Sequence, residues 1–414
     1  MSELERLGSE AKEAARLLAY ADSETKNAAL CAIADALLEH AAPILEANAR
    51  DVAQARENGT STAMLDRLAL TPERLTAIAN AVRKVERLPD PIGEVTERWT
   101  LHNGLAVERV RVPLGVIGII YEARPNVTVD AAVLCLKAGS AAFLRGGKET
   151  IHSNIALEAV MRGALRKAGL PEACITVLHD TSRETAAAFM RLRGLIDVLI
   201  PRGGAGLIRA VIEQASVPVI ETGSGNCHVF VDQSADLAMA TSIIVNAKAQ
   251  RPSVCNAAET LLVHAGIAPE FLPQAAQALR GAGVELRGCA QARALVPDMA
   301  EATETDWETE YNDYILAVRV VDDLDAALDH IRRYSTHHSE SIATRDDANA
   351  ARFLREVDSA AVYHNASTRF TDGEEFGFGA EIGISTQKMH ARGPMGLREI
   401  CSYKYLVHGT GQTR

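Results

Sequence analysis

The stretch Asn246-Ala-Lys-Ala-Gln-Arg-Pro-Ser-Val-Cys255-Asn-Ala-Ala-Glu-Thr-Leu-Leu-Val-His264 passes through three kinds of local structure. Helical spacing runs out near Lys248, Pro252 forbids its continuation, and the alternation after Ala258 predicts a strand. Cys255 therefore falls on an irregular loop between two regular elements, a usual place for a reactive group. A buried thiol is ordinarily an inert small hydrophobe. This one follows Lys248 and Arg251, whose charges would favour the thiolate if they face it.

Outward from that stretch, strands and helices alternate in both directions. Upstream, from Gly115 to about Glu221, the strand candidates are Val116–Tyr121, Ala141–Leu144, Ile175–His179, Leu195–Ile200 and Val217–Ile220. From Cys227 the alternation restarts with His228–Val231, Thr260–Val263, Val284–Arg287, Ile315–Val320, Ser341–Thr344 and Ala360–Tyr363. Such alternation predicts mainly parallel sheets covered on both faces, with ligands at the carboxyl ends of the strands. The fold class expected is α/β, with two doubly wound parallel-sheet domains that meet in the chain near Glu221–Asn226. Residues 2–90 read as helical scaffold, opened at one point by Thr71-Pro72-Glu73 and at another by Ser23 before Glu24. Between scaffold and first sheet, Asn103-Gly104 separates two alternating runs and predicts a hairpin with a type I′ turn. A lone hairpin is unstable in water, so it must pack on the body of the chain or on another subunit. From Thr368 onward the periodicity is lost.

The chain has 414 residues, 47% of them hydrophobic and 23% charged, enough for two or three domains with large cores. A net charge of −11 argues against nucleic acid or an anionic membrane as partner. The seven cysteines are widely spaced without a Cys-x-x-Cys pair, which excludes an obvious zinc ribbon or disulfide framework and fits a reducing compartment. The first residues open an acidic amphipathic helix, with no signal peptide, and no apolar run approaches the ~20 residues of a membrane span. A cytoplasmic location is expected.

Two predicted strand ends are rich in glycine. Pro201-Arg202-Gly203-Gly204-Ala205-Gly206 leads into a helix whose first amides suit a phosphate, although it lacks the third glycine of a full G-x-G-x-x-G. Arg145-Gly146-Gly147-Lys148 sets two cations beside two glycines. If a dinucleotide lies there, Arg145 and Lys148 suit a 2′-phosphate, which favours NADPH over NADH. His337-His338 near Glu340 has neither helix-face nor strand-face spacing, so no metal is expected. A cysteine-protease reading would pair Cys255 with His264 or His390, but such an enzyme has no use for two phosphate-ready loops.

Gly115-Val-Ile-Gly-Ile-Ile-Tyr-Glu-Ala-Arg-Pro125, the two glycine loops, Glu221-Thr-Gly-Ser-Gly225, Cys255 and Thr309-Glu310-Tyr-Asn-Asp-Tyr-Ile-Leu316 resemble the aldehyde dehydrogenase superfamily in order and spacing. Leu144-Arg-Gly-Gly-Lys-Glu149, Ser253-Val-Cys-Asn-Ala-Ala-Glu259 and Ile384-Ser-Thr-Gln-Lys-Met-His-Ala-Arg-Gly-Pro394 are similar to its branch that reduces glutamyl 5-phosphate in proline biosynthesis. The resemblance implies reduction of that small-molecule substrate to glutamate 5-semialdehyde by NADPH, through a thioester on Cys255. Alternatives left open are NAD-dependent oxidation of another semialdehyde, and a non-catalytic scaffold of the same fold. By the same resemblance Lys148 and Glu310 contact the cofactor with Arg145, Gly146, Gly147, Gly203, Gly204 and Gly206. Glu221 falls on the residue that activates water in oxidising members and is expected to contact cofactor here. Ala123 stands where the superfamily has its oxyanion asparagine, so Asn126 or the Cys255 amide is the expected donor. Arg124, Lys388 and Arg392 are the expected ligands of the two substrate anions. Residues 1–94 and 113–225 are expected to form the cofactor domain and 226–365 the catalytic domain. Residues 95–112 and 366–414 are expected to form an oligomerisation hairpin and tail, giving a homodimer or a dimer of dimers. A glutamate 5-kinase is a candidate partner, and the sequence leaves open whether it channels the acyl phosphate.

Overall fold

The structure is a computed structural model that describes residues 2–414, with the backbone alone at 62 and 63. The chain begins with α1 (Glu3–Leu18), α2 (Ser23–Glu39), α3 (Ala41–Glu57), α4 (Thr62–Leu68) and α5 (Pro72–Arg87). Ser2 caps α1 in a capping box with Glu5, and Thr71 caps α5 ahead of Pro72. The second helix starts one residue earlier than Ser23 as cap would have it. The Asp22 carboxylate accepts the Thr25 amide at 2.8 Å, leaving Ser23 as the first helical residue.

Next come β1 (Val95–Thr100) and β2 (Ala106–Pro113), antiparallel with Thr100 opposite Ala106. The connection is longer than the two-residue type I′ turn expected. Leu101 and Leu105 bond across it, Gly104 N–H donates to the Leu101 carbonyl at 2.9 Å, and only Gly104 (φ 87°) takes a positive φ. A turn followed by one left-handed glycine needs no second positive φ, so Asn103 instead accepts the Leu105 amide through its side chain.

The alternating portion follows: β3 (Val116–Tyr121), α6 (Pro125–Lys137), β4 (Ala141–Arg145), α7 (Ile151–Lys167), β5 (Ile175–Val177), α8 (Arg183–Phe189), β6 (Val198–Arg202) and α9 (Ala205–Gln214). These strands form a parallel sheet in the order β5-β4-β3-β6. Val217–Ile220, expected as a fifth strand, makes only an isolated bridge between Leu199 and Val219, because Pro218 has no N–H to donate.

A second alternating portion has β7 (Cys227–Val231), α10 (Leu237–Ala249), β8 (Ala258–His264), α11 (Ala268–Gly281), β9 (Glu285–Gly288), α12 (Ala290–Leu295), β10 (Ala300–Glu301), β11 (Ile315–Val321), α13 (Leu324–Tyr334), β12 (Ser339–Ala343), α14 (Asp347–Glu356) and β13 (Ala361–His364). Its parallel sheet runs β10-β9-β11-β8-β7-β12-β13. Neighbouring residues of one strand serve opposite cores. Val229, Leu261 and Val263 pack with Ile244 and Phe271, whereas Phe230 and Leu262 pack with Leu328 and Phe353. Helices thus cover both faces, which explains the near-continuous apolar strands. The chain ends with β14 (Ile384–Ser385), β15 (Gly393–Pro394) and β16 (Cys401–His408).

Two compact units result. One holds residues 1–221, 378–383 and 395–414, and the other holds 222–377 and 384–394. The stretch 366–414, expected as one tail, is therefore divided. Within the first unit β16 pairs with β2 along its full length, making a three-stranded sheet β1-β2-β16 that supports the hairpin. Within the second, residues 368–371 are hydrogen-bonded to the loop that carries Cys255.

Candidate active site

Helix α10 stops at Ala249 and Pro252 keeps the chain from resuming it. The Ala257 amide donates to the Val254 carbonyl at 3.0 Å, so Cys255 and Asn256 form the corner of a turn just ahead of β8. Cys255 is half-buried. Its turn is fixed from three sides. The Cys227 thiol donates to the Cys255 carbonyl at 3.2 Å. Asn256 donates through Nδ2 to the Thr371 carbonyl at 2.9 Å, and its own carbonyl accepts the Thr368 hydroxyl at 2.7 Å. The backbone at Gly225 comes so close that a Cβ there would fall 1.4 Å from the Cys255 oxygen, which only glycine allows. The Glu310 carboxylate in turn accepts the Gly225 amide at 2.7 Å. The structure thus brings Glu310, the Gly223–Gly225 segment and Cys255 into one bonded cluster.

Lys248 does not serve the thiol as expected. Its Nζ lies 2.5 Å from Glu259 Oε2, both side chains fully buried, and this pairing neutralises the ammonium. Burial lowers Lys248 and raises Glu259, and their mutual attraction opposes both shifts. Arg251 is exposed on the loop. The cation set against the turn is Arg369, which the sequence reading passed over. Its Nη1 donates to Asn256 Oδ1 and its Nε to Gln250 Oε1 at 3.1 Å. It lies in an aperiodic stretch more than a hundred residues from Cys255, so no local pattern points to it.

Lys388 and Arg392, expected to bind substrate anions, share an anion of the protein. Lys388 Nζ pairs with Asp358, and Arg392 Nη1 reaches the same carboxylate at 2.8 Å. These two cations, Lys388 first, hold the exposed Asp358 carboxyl down at about 2. His264 cannot partner Cys255. It ends β8, whose seven residues span about 20 Å from the end where the thiol turn enters. It lines instead a cavity of about 480 Å³ at the carboxyl ends of the strands, with Asp232, Asp323 and Asp346. His338 is buried, with Nδ1 2.8 Å from the Ser339 hydroxyl.

In the first unit, the loop after β4 has Gly146 and Gly147 buried and Lys148 exposed. Arg145 Nη2 donates to the Thr181 carbonyl at 2.9 Å, while its Nε is buried without a partner. A buried orphan guanidinium nitrogen beside an exposed lysine fits the anionic portion of a dinucleotide. At the second glycine loop, Gly204 caps α9 and its amide already donates to Glu122 Oε2 at 2.9 Å. A carboxylate takes the place there that an incoming phosphate would contest. Gly203 abuts the same carboxylate, whereas a Cβ at Gly206 would meet nothing within 4 Å. Arg124 is the residue before Pro125 that caps α6, and Glu221, half-buried, ends the first span of this unit. Asn126 donates its amide to Asp130 Oδ2 at 3.0 Å, one turn along α6, so it serves that carboxylate here.

Two parallel sheets and a half-buried cysteine held on a turn before a central strand are the frame of an aldehyde dehydrogenase, and comparison with known proteins places the chain in that class of oxidoreductases. Residues 2–288 match the model of the aldehyde dehydrogenase family. The gamma-glutamyl phosphate reductase of Caldanaerobacter subterraneus subsp. tengcongensis is 58% identical over 412 residues, covering 100% of each chain. That of Clostridium perfringens is 59% identical over 407 residues, 98% of each chain. The crystal structure of the Thermotoga maritima gamma-glutamyl phosphate reductase superposes with a TM-score of 0.98 at 51% identity, over 100% of both chains. An acetylating aldehyde dehydrogenase from Geobacillus thermoglucosidasius shares the fold, with a TM-score of 0.71 at 16% identity over 100% of this chain and 97% of that one. The chain belongs to the aldehyde dehydrogenase family and, within it, to the gamma-glutamyl phosphate reductases.

Proposed function

We propose that this chain is an oxidoreductase that reduces glutamyl phosphate to glutamate 5-semialdehyde with release of phosphate, a step of proline biosynthesis. The observation that carries the reading is the clamped, half-buried Cys255 in a chain 58% identical along its whole length to a gamma-glutamyl phosphate reductase. An acyl phosphate is already activated. The Cys255 thiolate attacks the acyl carbon, the bond from that carbon to the phosphoryl oxygen breaks, and phosphate departs with the electron pair. The thioester left on Cys255 must then be kept from water, its competing acceptor. A nicotinamide bound here would supply hydride to the acyl carbon, and breaking of the carbon–sulfur bond then releases the aldehyde and returns the Cys255 thiolate. Arg145, Gly146, Gly147 and Lys148, with Gly203, Gly204 and Gly206, are the residues we assign to its phosphates. The two cations favour NADPH. Glu310 and Glu221 are assigned to the cofactor, and Glu310 also holds Gly225 against the nucleophile turn. Asn126 is assigned as an oxyanion donor, a role that requires it to leave Asp130. Arg124, Lys388 and Arg392 are assigned to the substrate's anionic groups, the last two on release from Asp358.

We further infer a homodimer or a dimer of dimers built on the sheet β1-β2-β16. Its last strand leaves one edge unpaired and exposes Tyr403, Tyr405 and Val407, with Trp99 exposed on the same sheet. The lability of the acyl phosphate favours delivery by a glutamate 5-kinase held nearby. No single helix among the described residues is long and apolar enough to cross a membrane.

Mass spectrometry of enzyme mixed with glutamyl phosphate, without cofactor, tests the thioester. The glutamyl mass should appear on the peptide containing Cys255 and be absent from Cys255→Ala. An adduct on any other residue overturns the mechanism. NADPH oxidation by Cys255→Ala should fall at least a thousandfold, about the loss expected when a covalent nucleophile is removed.

A further inference from the structure

Arg369 differs from Lys248, Lys388 and Arg392, the other cations weighed for this site. Lys248 is paired with Glu259, and Lys388 and Arg392 with Asp358. Arg369 is half-buried, yet it enters no ion pair among the described residues; its guanidinium bonds only to the neutral side chains of Asn256 and Gln250. Two of its five N–H groups are used in this way, and Nη2 has no protein partner among the described residues. Burial lowers its pKa, but a guanidinium stays charged at any working pH. The other charges that bear on it are Asp372, Arg251, Cys255 and Glu375. Partly desolvated charges are usually paired, so an unpaired one beside a nucleophile calls for an anion that arrives from outside.

Arg369 grips Asn256 by the side chain, while Asn256 Nδ2 donates back to the Arg369 carbonyl at 3.3 Å and to the Thr371 carbonyl. The guanidinium is thereby tied to the residue adjoining Cys255. A planar fork bonded to the residue that follows Cys255 suits the tetrahedral oxygens of a phosphoryl group, which a point charge such as lysine matches less well.

We propose that Arg369 is a phosphate-binding group of this centre in addition to Arg124, Lys388 and Arg392, holding the phosphoryl oxygens of the acyl phosphate while Cys255 displaces them. This rests on the acyl-phosphate reading above. In the step, the Arg369 N–H groups donate hydrogen bonds to the phosphoryl oxygens and transfer no proton. The sulfur–carbon bond forms, the carbon–oxygen bond breaks, and the electron pair leaves on phosphate. In the reverse direction the same fork presents inorganic phosphate to the thioester.

Reverse kinetics give the test, because oxidation of the semialdehyde by NADP then consumes inorganic phosphate as a co-substrate. Arg369→Lys keeps the charge and loses the fork; its KM for phosphate should rise at least about tenfold, with the KM values for semialdehyde and NADP within about twofold of wild type. Arg369→Met should show almost no NADP reduction at phosphate concentrations that saturate the wild-type enzyme. Inorganic phosphate should also slow alkylation of Cys255 by iodoacetamide in wild type and not in Arg369→Lys. An unchanged phosphate KM overturns the proposal, as does a fall in kcat with all KM values unchanged, which would mark Arg369 as a support for the turn. If Arg369→Met does not fold, Arg369→Lys alone decides. A wild-type enzyme that oxidises the semialdehyde without phosphate would instead refute the acyl-phosphate reading itself.

Discussion

At the scale of single residues, the thiol turn is built by close approach as much as by bonding. Gly225 has no side chain, and its backbone touches the Cys255 carbonyl where a Cβ would fall 1.4 Å away. Backbone cannot yield as a flexible side chain does, so Gly225→Ala must push the turn aside. Activity should drop at least about a hundredfold, the loss expected for a misplacement of about 1 Å at a reacting group, with far-UV circular dichroism unchanged. A tenth or more of wild-type activity in that variant would show that the approach is slack. Asp130 offers a pH test. Burial holds its carboxyl at about 6 in the fold, against a reference of 3.8, although the Asn126 bond pulls it back. The stability from such a raised carboxyl is fully present below pH 3.8 and is lost as pH rises through about 6. Asp130→Asn, which cannot ionise, should therefore raise Tm more at about pH 8 than at about pH 4. An equal effect at both would mean that Asp130 titrates normally. At this scale, residue type and spacing put Cys255 on a loop ahead of a strand and the glycine pairs at strand ends, as the structure has them. The pairings are not legible in this way, because Lys248 finds Glu259 and Arg369 finds Asn256 only when separate segments fold together.

At the scale of elements, local rules work where local physics decides. Thr71 before Pro72 predicts the start of α5, and the apolar alternation predicts β3, β8 and β11 to within a residue or two. They fail where a partner strand or a competing group decides. Val217–Ile220 has strand composition, but Pro218 limits it to one bridge. Asn103-Gly104 has the signature of the shortest hairpin, yet the loop closes through Leu101 and Leu105 with one left-handed glycine. The final strand, β16, lies in a stretch read as aperiodic. Its burial is too slight to impose alternation, since Tyr403 and Tyr405 are 55% and 53% exposed. What makes it a strand is the unsatisfied edge of β2, which it pairs from Cys401 opposite Pro113 to His408 opposite Ala106.

At the scale of the whole molecule, the proposed assembly rests on the three-stranded sheet. Its outer strand is long, apolar in part and open at the edge, a surface that monomers normally blunt. Sedimentation at micromolar protein should give a dimer or larger. Tyr405→Lys with Val407→Lys should shift it toward the 44.4 kDa monomer while leaving the two parallel sheets intact by circular dichroism. A wild-type chain that sediments as a monomer would leave this face without its proposed role. The alternation of strand and helix, the chemistry available on the loops and the family resemblance all follow from the order of residues, because periodicity and turn chemistry act over a few positions. Only the tertiary structure decided which cation bonds to the Cys255 turn, how residues 366–414 divide between two units and what supports the hairpin. Those are contacts between segments far apart in the chain, and the free energy that selects them comes from burial and pairing that no local window contains.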